Sequence, residues 1–232
     1  MTTYNYVHLV NSKFISIKGE DRKEFLQDMI TNDINKCIED NPIYSCFLSP
    51  QGKFLADFFI INLGDSYLIE VNEIFIDNFF TKLNIYKLRS KINISIEEIY
   101  TSIVILNIDP KLNTDINFIK FTDPRCPNLG QKIIINFNLI NSFVSNNNLI
   151  KVDFKFYREL MIKNLVPYST KDLEINKSLL LENNFDKMNA IDWEKGCYVG
   201  QEITARMKYR ALLKKSIRAV EIISGSMMPG NK

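Results

Sequence analysis

A chain of 232 residues with 46% hydrophobic and 24% charged side chains can bury a core without staples, which excludes a disordered chain and a disulfide-dependent mini-protein. Its four cysteines, Cys37, Cys46, Cys126 and Cys197, form no C-x-x-C pair, and the single histidine, His8, is too few for a Cys/His zinc site. The formal net charge of +2 excludes little, so its distribution along the chain carries the information.

Irregular cysteine spacing predicts reduced thiols and lacks the compact ligand run of an intrinsic iron–sulfur cluster. Residues 1–10 lack the basic start and apolar run of a secretory signal and the Arg-rich pattern of a transit peptide. No apolar segment approaches the roughly 20 residues that span a bilayer, so the expectation is a cytoplasmic protein without a membrane span. Glycine is scarce, at 8 residues, while Ile, Asn and Lys are abundant. The excess reads as base composition; the scarcity makes each glycine more informative about the backbone.

Taken in chain order, His8 falls in an N-terminal strand and Phe14–Ile17 alternates as a short strand ended by Gly19. Phe25, Leu26, Met29 and Ile30 recur at helical spacing behind the acidic start Glu20-Asp21, predicting a helix from Asp21 to about Ile30. Between Ile43 and Val71 strand-like runs are broken at Ser49-Pro50-Gln51-Gly52 and Gly64-Asp65-Ser66, an antiparallel meander. Ile76, Phe79, Phe80, Leu83 and Tyr86 predict a second helix ending near Arg89-Ser90-Lys91. Strands are then expected at 92–96, 103–108 and 132–137, with a loop through Asp123-Pro124-Arg125 and Pro127 to Gly130. Asn141–Asn148 is polar and reads as a linker. A third helix through Phe154, Tyr157, Leu160 and Met161 must stop before Pro167, and Ser216–Ile223 reads as a last strand. The order of elements predicts an α+β fold, antiparallel sheets with packed helices, divided as 1–140, 149–215 and 216–232.

The chemistry concentrates in Trp193-Glu194-Lys195-Gly196-Cys197-Tyr198-Val199-Gly200-Gln201-Glu202, continued by Ala205-Arg206. Two glycines flank Cys197, and helix formers follow Gly200, so the thiol is expected in a tight loop at a helix N-terminus with Lys195 nearby. Both features favour a thiolate; a buried core thiol is the competing reading. Glu202 and Arg206 stand four apart in the order that supports an exposed helix. From Lys195 to Arg218 seven basic residues face one acid, which suits an anionic ligand such as a folate tail, or else a solvated helix face. His8 in a strand gives no support to a Ser-His-Asp triad.

These residues resemble a known signature. Lys195 to Glu202 is similar to K-G-C-[YF]-x-G-Q-E of the YgfZ-type branch of the glycine-cleavage T-protein superfamily. The blocks Gly19-Glu20-Asp21, Phe25-Leu26-Gln27, Thr31-Asn32-Asp33, Ser49 to Lys53, Leu88 to Lys91, Asp123-Pro124-Arg125 and Tyr157-Arg158 resemble the family's other blocks in order. The resemblance implies a folate-binding fold with tetrahydrofolate in a central channel. It also implies a role in assembling or repairing iron–sulfur proteins, with an indirect effect on tRNA modification. Cys197 would be the working thiol, and Lys195, Gly196, Tyr198, Gly200, Gln201, Glu202 and Arg206 would shape its loop or bind the cofactor. Partners would be folate and iron–sulfur clients or assembly proteins, with no metal site, and direct nucleic-acid binding is not expected, since only Tyr198 and Tyr209 interleave the charges. The alternative is an aminomethyltransferase-like one-carbon enzyme, which would need an acid in the first sheet. Ala56 falls at that position and Asp57 beside it; strand alternation lets only one of them face the channel. The pattern departs from the family at Asn164 and Asn189, where glycine is usual, and at Leu180, where proline is usual. The family's C-terminal β-barrel would be largely missing, leaving 216–232 as its start.

Overall fold

A computed structural model describes residues 3–107, 110–210, 213, 215–226 and 228. In chain order the regular elements are β1 (Tyr4–His8), β2 (Ser12–Gly19), α1 (Arg22–Met29), β3 (Ile43–Leu48), β4 (Phe54–Asn62), β5 (Ser66–Asn72), α2 (Glu73–Lys87), β6 (Ile92–Glu97) and β7 (Tyr100–Ile105). They continue with β8 (Phe118–Thr122), β9 (Gln131–Asn136), α3 (Ile140–Asn146), β10 (Leu149–Lys151), α4 (Phe154–Lys163), α5 (Ser169–Asp172) and α6 (Gln201–Tyr209). The strands form two five-stranded sheets, ordered β10-β1-β7-β9-β8 and β3-β4-β5-β2-β6. Every pairing is antiparallel except β1 with β10, which run parallel in the register Tyr4 to Leu149. This is the expected α+β architecture.

The meander from Ile43 to Val71 is present as β3, β4 and β5. All six residues of β3 are buried, as are Phe58 to Ile61 of β4, so these strands carry continuous apolar runs in place of a clean alternation. Helix α2 packs over β2, β4, β5 and β6. Phe79 of α2 stacks on Phe58 at 4.7 Å between ring centroids and meets Phe47 at 5.3 Å. A second cluster, with Tyr6, Ile103, Ile105, Ile133 and Ile135, lies against the other sheet.

Three sequence expectations change. Asn141–Asn148 is no linker: Ile140 and Phe143, three residues apart, put one face of α3 into the second cluster. The four asparagines of that stretch mask this helical spacing. Ser216–Ile223 forms no strand; its residues are exposed except Ile217, whose N–H donates to the Glu182 carbonyl at 2.9 Å. A strand needs a neighbouring edge to hydrogen-bond, and none of the described strands pairs with it. β7 ends at Ile105, and Ile108 lies outside the described residues. The short strands β8 and β10 were not expected.

The abundant asparagines also acquire a structural role. Among the described residues six other than glycine have positive φ, and four of them are asparagines: Asn148, Asn176, Asn184 and Asn189. Asn tolerates the left-handed region better than other side-chain-bearing residues, so it serves where a glycine-poor chain must turn. At 189, Asn holds φ +53°. Asn164 follows a different course, at φ −96°, where its side chain caps α4 through the Leu160 carbonyl and accepts from Asn128.

Candidate functional site

Cys197 is the exposed thiol. Cys37 and Cys46 are buried, Cys126 is half-buried, and all four are free. Burial pushes the Cys37 thiol up to about 12 and that of Cys46 well above its ordinary value, so neither is ionised near neutral pH. The competing core-thiol reading therefore fails for Cys197 and holds for Cys37 and Cys46.

The loop that presents Cys197 is fixed on both sides. On the N-terminal side, the Lys195 ammonium donates to the carbonyls of Gln27 (2.7 Å), Ile30 (2.6 Å) and Asn32 (3.0 Å) and lies 5.0 Å from the centre of the Tyr198 ring. These carbonyls sit at and just beyond the end of α1, where an unpaired carbonyl and a negative helix pole both attract a cation. Burial pulls Lys195 down to about 8, with Asp33, Asp192 and Asp28 opposing it. Asp192 accepts from the N–H groups of Glu194 (2.7 Å) and Lys195 (3.1 Å) and pairs with Lys36 at 2.6 Å. Burial acts to raise Asp192, but Lys36 and the two N–H groups outweigh it and leave its pKa lowered.

The block Thr31-Asn32-Asp33 completes the anchor. Thr31 Oγ1 donates to the Ala190 carbonyl at 2.6 Å, and Asn32 Nδ2 bridges the carbonyls of Tyr44 (2.9 Å) and Asn189 (2.8 Å). On the C-terminal side Gly200, at φ +83°, leads into α6. A Cβ on Gly200 would lie 2.3 Å from the Ser49 carbonyl oxygen, so the turn at 49–52 and the signature meet backbone to backbone. Gly196 is different: a Cβ there would meet nothing within 4 Å, and its φ is not left-handed. The flanking glycines are therefore not equivalent.

The other expected site residues take several places. Tyr198 packs against the main core, and burial raises its hydroxyl pKa. Glu202 and Arg206 are exposed on α6, and among the described residues they form no ion pair. Gln201 opens that helix, half-buried. Lys208, farther along, sits 4.2 Å from the centre of the Trp193 ring. Lys214 of the basic run lies outside the described residues.

None of these residues lines the cavity walled by Tyr44, Phe59, Tyr157 and Tyr168. It has a volume of about 310 Å³ and is bounded by β1, β2, β3, β4, β5, β9 and α4. Its walls are aromatic (Tyr44, Phe59, Phe154, Tyr157, Tyr168) and its charged residues are Asp57, Glu70, Arg125 and Lys132. Asp57, not Ala56, faces it. Tyr44 Oη donates to Asp57 Oδ2 at 2.5 Å; Ser169 is close by, yet Oδ1 has no partner in hydrogen-bonding geometry. Burial raises the Asp57 pKa against the opposing influence of Ser169, Tyr44 and Arg125. Glu70 Oε1 accepts from Ser12 Oγ (2.7 Å) and Lys132 Nζ (3.0 Å), a buried ion pair joining the two sheets, while Oε2 has no partner. An unmatched buried acceptor costs about 1–3 kcal/mol, so two in one cavity mark a place for a donor-bearing ligand.

Arg125 forms the third wall. Its Nε and Nη2 reach Asp123 Oδ1 and Oδ2 at 3.0 and 2.7 Å, and Nη2 also donates to Tyr157 Oη at 2.7 Å. Burial acts to lower the Arg125 pKa, but Asp123 prevails and keeps it a cation. The guanidinium lies 4.9 Å from the Phe59 ring centre. Sequence reasoning quoted Asp123-Pro124-Arg125 as a block, but it gave Glu70 and Lys132 no role. Each is a single charge inside an apolar strand, and that was the available signal.

Residues 8–109 match the model of the GCVT N-terminal domain. The fold is GcvT-like. The structure superposes on glycine cleavage system aminomethyltransferase T from Bartonella henselae with a TM-score of 0.70 at 12% identity, covering 89% of this chain and 63% of that one. Curated relatives named iron–sulfur cluster assembly factor IBA57 homolog, mitochondrial, share 33% identity (Neurospora crassa) and 28% (Coccidioides immitis). The alignments take in 90% and 94% of this chain. The GcvT-like chain spans about half the length of these curated relatives, 52% and 56%. Their names carry a mitochondrial location, which overturns the cytoplasmic expectation: an N-terminus without a recognisable leader does not fix a compartment. Among the described residues no helix is long and apolar enough to cross a membrane.

Proposed function

We propose that this GcvT-like chain is an iron–sulfur cluster assembly or repair factor that works through the thiol of Cys197. The observation that carries the reading is the thiol itself, the exposed one of four, on a loop pinned by Lys195 and Asp192 on one side and Gly200 on the other. Similarity to relatives named as assembly factors, over 90% of the chain at 33% identity, points to the same role. Placement in the YgfZ-type branch belongs to the same proposal and rests on the octet Lys195 to Glu202. Thiolate sulfur is the soft donor that iron–sulfur chemistry uses, and an exposed, immobilised thiol offers it to a partner without prior rearrangement. Effects on tRNA modification would follow from the client enzymes.

The cavity suits tetrahydrofolate or a derivative. Aromatic walls accept a flat ring, and the orphaned oxygens of Asp57 and Glu70 require N–H donors, which a reduced pteridine carries. When bound, folate would supply a one-carbon carrier or a structural ligand. Glu70, Lys132 and Asp57 would orient its ring, and Tyr44 would hold Asp57 in place. Signature residues Lys195, Gly196, Tyr198, Gly200, Gln201, Glu202 and Arg206 then shape and present the thiol loop and do not contact the folate.

A second reading, a folate-dependent aminomethyltransferase-like enzyme, is favoured by Asp57 facing the cavity where Ala56 does not. The deciding experiment measures the activity of a [4Fe–4S] enzyme in cells lacking this protein, supplied with the intact chain, Cys197→Ala or Asp57→Asn. Rescue by the intact chain and by Asp57→Asn, with none by Cys197→Ala, is expected. Rescue by Cys197→Ala would remove the thiol from the mechanism, and loss only with Asp57→Asn would favour the enzyme.

A further inference from the structure

We propose that a second cavity, between the end of α4 and residues 217–219, binds a small aliphatic carboxylate through Arg158 and Arg218. It shares no lining residue with the aromatic cavity: Tyr157 and Met161 of α4 line that one, Arg158 and Ile162 line this one. Its volume is about 340 Å³, near the lower end of the range for small-molecule sites.

Three observations carry the proposal. Arg158 Nη2 donates to Asp172 Oδ1 at 2.7 Å and Oδ2 at 2.8 Å, yet Nη1 is buried without a hydrogen-bond partner. Asp172 does not supply that acceptor: it takes both contacts from Nη2 and a third from the Tyr168 N–H at 2.7 Å. Arg218 lines the same cavity from the segment after α6, and among the described residues it has no ion pair. The rest of the lining is apolar, with Ile162, Leu165, Val166 and Pro167 on one side and Ile217 and Ala219 on the other.

Both walls are held by the backbone. Leu165 takes φ +57°, a region bulky side chains rarely enter, and the Val166 N–H closes α4 on the Met161 carbonyl at 2.9 Å. Opposite, Ile217 is tethered through both of its backbone groups. Its N–H donates to the Glu182 carbonyl, and its carbonyl accepts from Asn184 Nδ2 at 3.3 Å. Arg218 is therefore carried beside an anchored residue, although its own side chain is exposed.

The ligand class follows from what is unmet. Two guanidiniums against one carboxylate leave a single positive charge, which one negative charge neutralises. A cation would face two arginines, and a phosphate dianion would overcompensate. A carboxylate offers one oxygen to the buried Nη1, where an acceptor is missing, and the other to the Arg218 fork. No aromatic ring lines the cavity, so its apolar walls suit an aliphatic body and not a flat heterocycle.

Two sources present this group, a free branched-chain acid and the C-terminus of a peptide ending in an aliphatic residue. The purified full chain is titrated with isovalerate, isoamyl alcohol, acetate, and the tripeptide Gly-Gly-Leu with and without C-terminal amidation, followed by NMR chemical shifts. Isovalerate should shift resonances of Arg158, Ile217 and Ala219. The alcohol, which lacks the charge, and acetate, which lacks the apolar body, should each bind at least about tenfold more weakly. Arg218→Met should weaken isovalerate by about the same factor; this side chain is exposed, so the fold stays intact. Arg158→Lys keeps the charge beside Asp172, removes the fork, and should weaken binding as well. Tighter binding of the tripeptide, lost on amidation, would keep the site and assign it to a peptide terminus. Binding indifferent to both arginine variants, shifts confined to Tyr44, Asp57 and Phe59, or no shift with either source would overturn the proposal.

Discussion

Gly200 and Gly52 pack backbone against backbone, bringing the turn of the first hairpin onto the entry of α6. A Cβ on Gly52 would lie 2.9 Å from the Gly200 carbonyl oxygen and 2.8 Å from Ile203 Cβ; one on Gly200 would lie 3.2 Å from Gly52 Cα. Both residues have positive φ, +70° and +83°. The contact ties the thiol loop to the sheet bearing Asp57 and Glu70.

From this contact, Gly200→Ala should destabilise the fold by at least about 2 kcal/mol, since it combines left-handed strain with a collision against the Ser49 carbonyl oxygen. Gly196→Ala, with open space around it, should stay within about 0.5 kcal/mol of wild type. Urea unfolding of the two variants side by side checks this. A Gly196→Ala protein that is stable but inactive in cells would assign Gly196 to close approach of a partner.

Thiol labelling should be site-selective. In the native protein Cys197 is expected to react with a maleimide first, Cys126 more slowly, and Cys37 and Cys46 only on unfolding. Mass spectrometry of timed samples reads the order. Early modification of Cys37 or Cys46 would contradict the packing of β3 and the turn after α1.

Lys195 gives a pH dependence with a definite sign. Its proton is held more weakly in the folded chain, near 8, than in the unfolded chain near 10.5, so burial of the charge weighs against folding fully below pH 8. Between those values the unfolded chain binds more protons, and this contribution to stability rises with pH. Lys195→Met removes the pH-dependent part. It also leaves the carbonyls of Gln27, Ile30 and Asn32 unmatched, at about 1–3 kcal/mol. Unfolding curves at pH 7 and 9.5 for both proteins should show a gain on raising pH in wild type beyond that in the variant.

Asp123→Ala should destabilise by about 3–5 kcal/mol, because it strands the Arg125 guanidinium, whose side chain is 8% exposed. Removing both charges, as Asp123→Ala with Arg125→Met, should recover part of that loss. Failure to recover would place the value of the pair in shaping the cavity wall and not in charge compensation. Urea midpoints of the single and double variants decide it.

Local sequence carried the elements whose signals are local. The spacing of Phe25, Leu26 and Met29, the turns at 49–52 and 64–66, and Gly200 before a run of helix formers each name their own structure, because period and turn chemistry need no distant partner. It failed where the stabilising partner is remote. Helix α3 has weak polar residues and is held by the β10–β1–β7 face; Ser216–Ile223 has strand-like alternation, and none of the described strands pairs with it.

The sequence by itself determined the α+β class, the meander, the thiol in a loop before a helix, and the resemblance that named the signature. Tertiary structure alone decided that Lys195 anchors that loop, that Asp57 and not Ala56 faces the cavity, and that Glu70 meets Lys132 across two sheets. The reason is physical. Periodicity records which residues leave water, but the partner of a buried charge is chosen by strand order and register, and these are set by the packing of the whole chain.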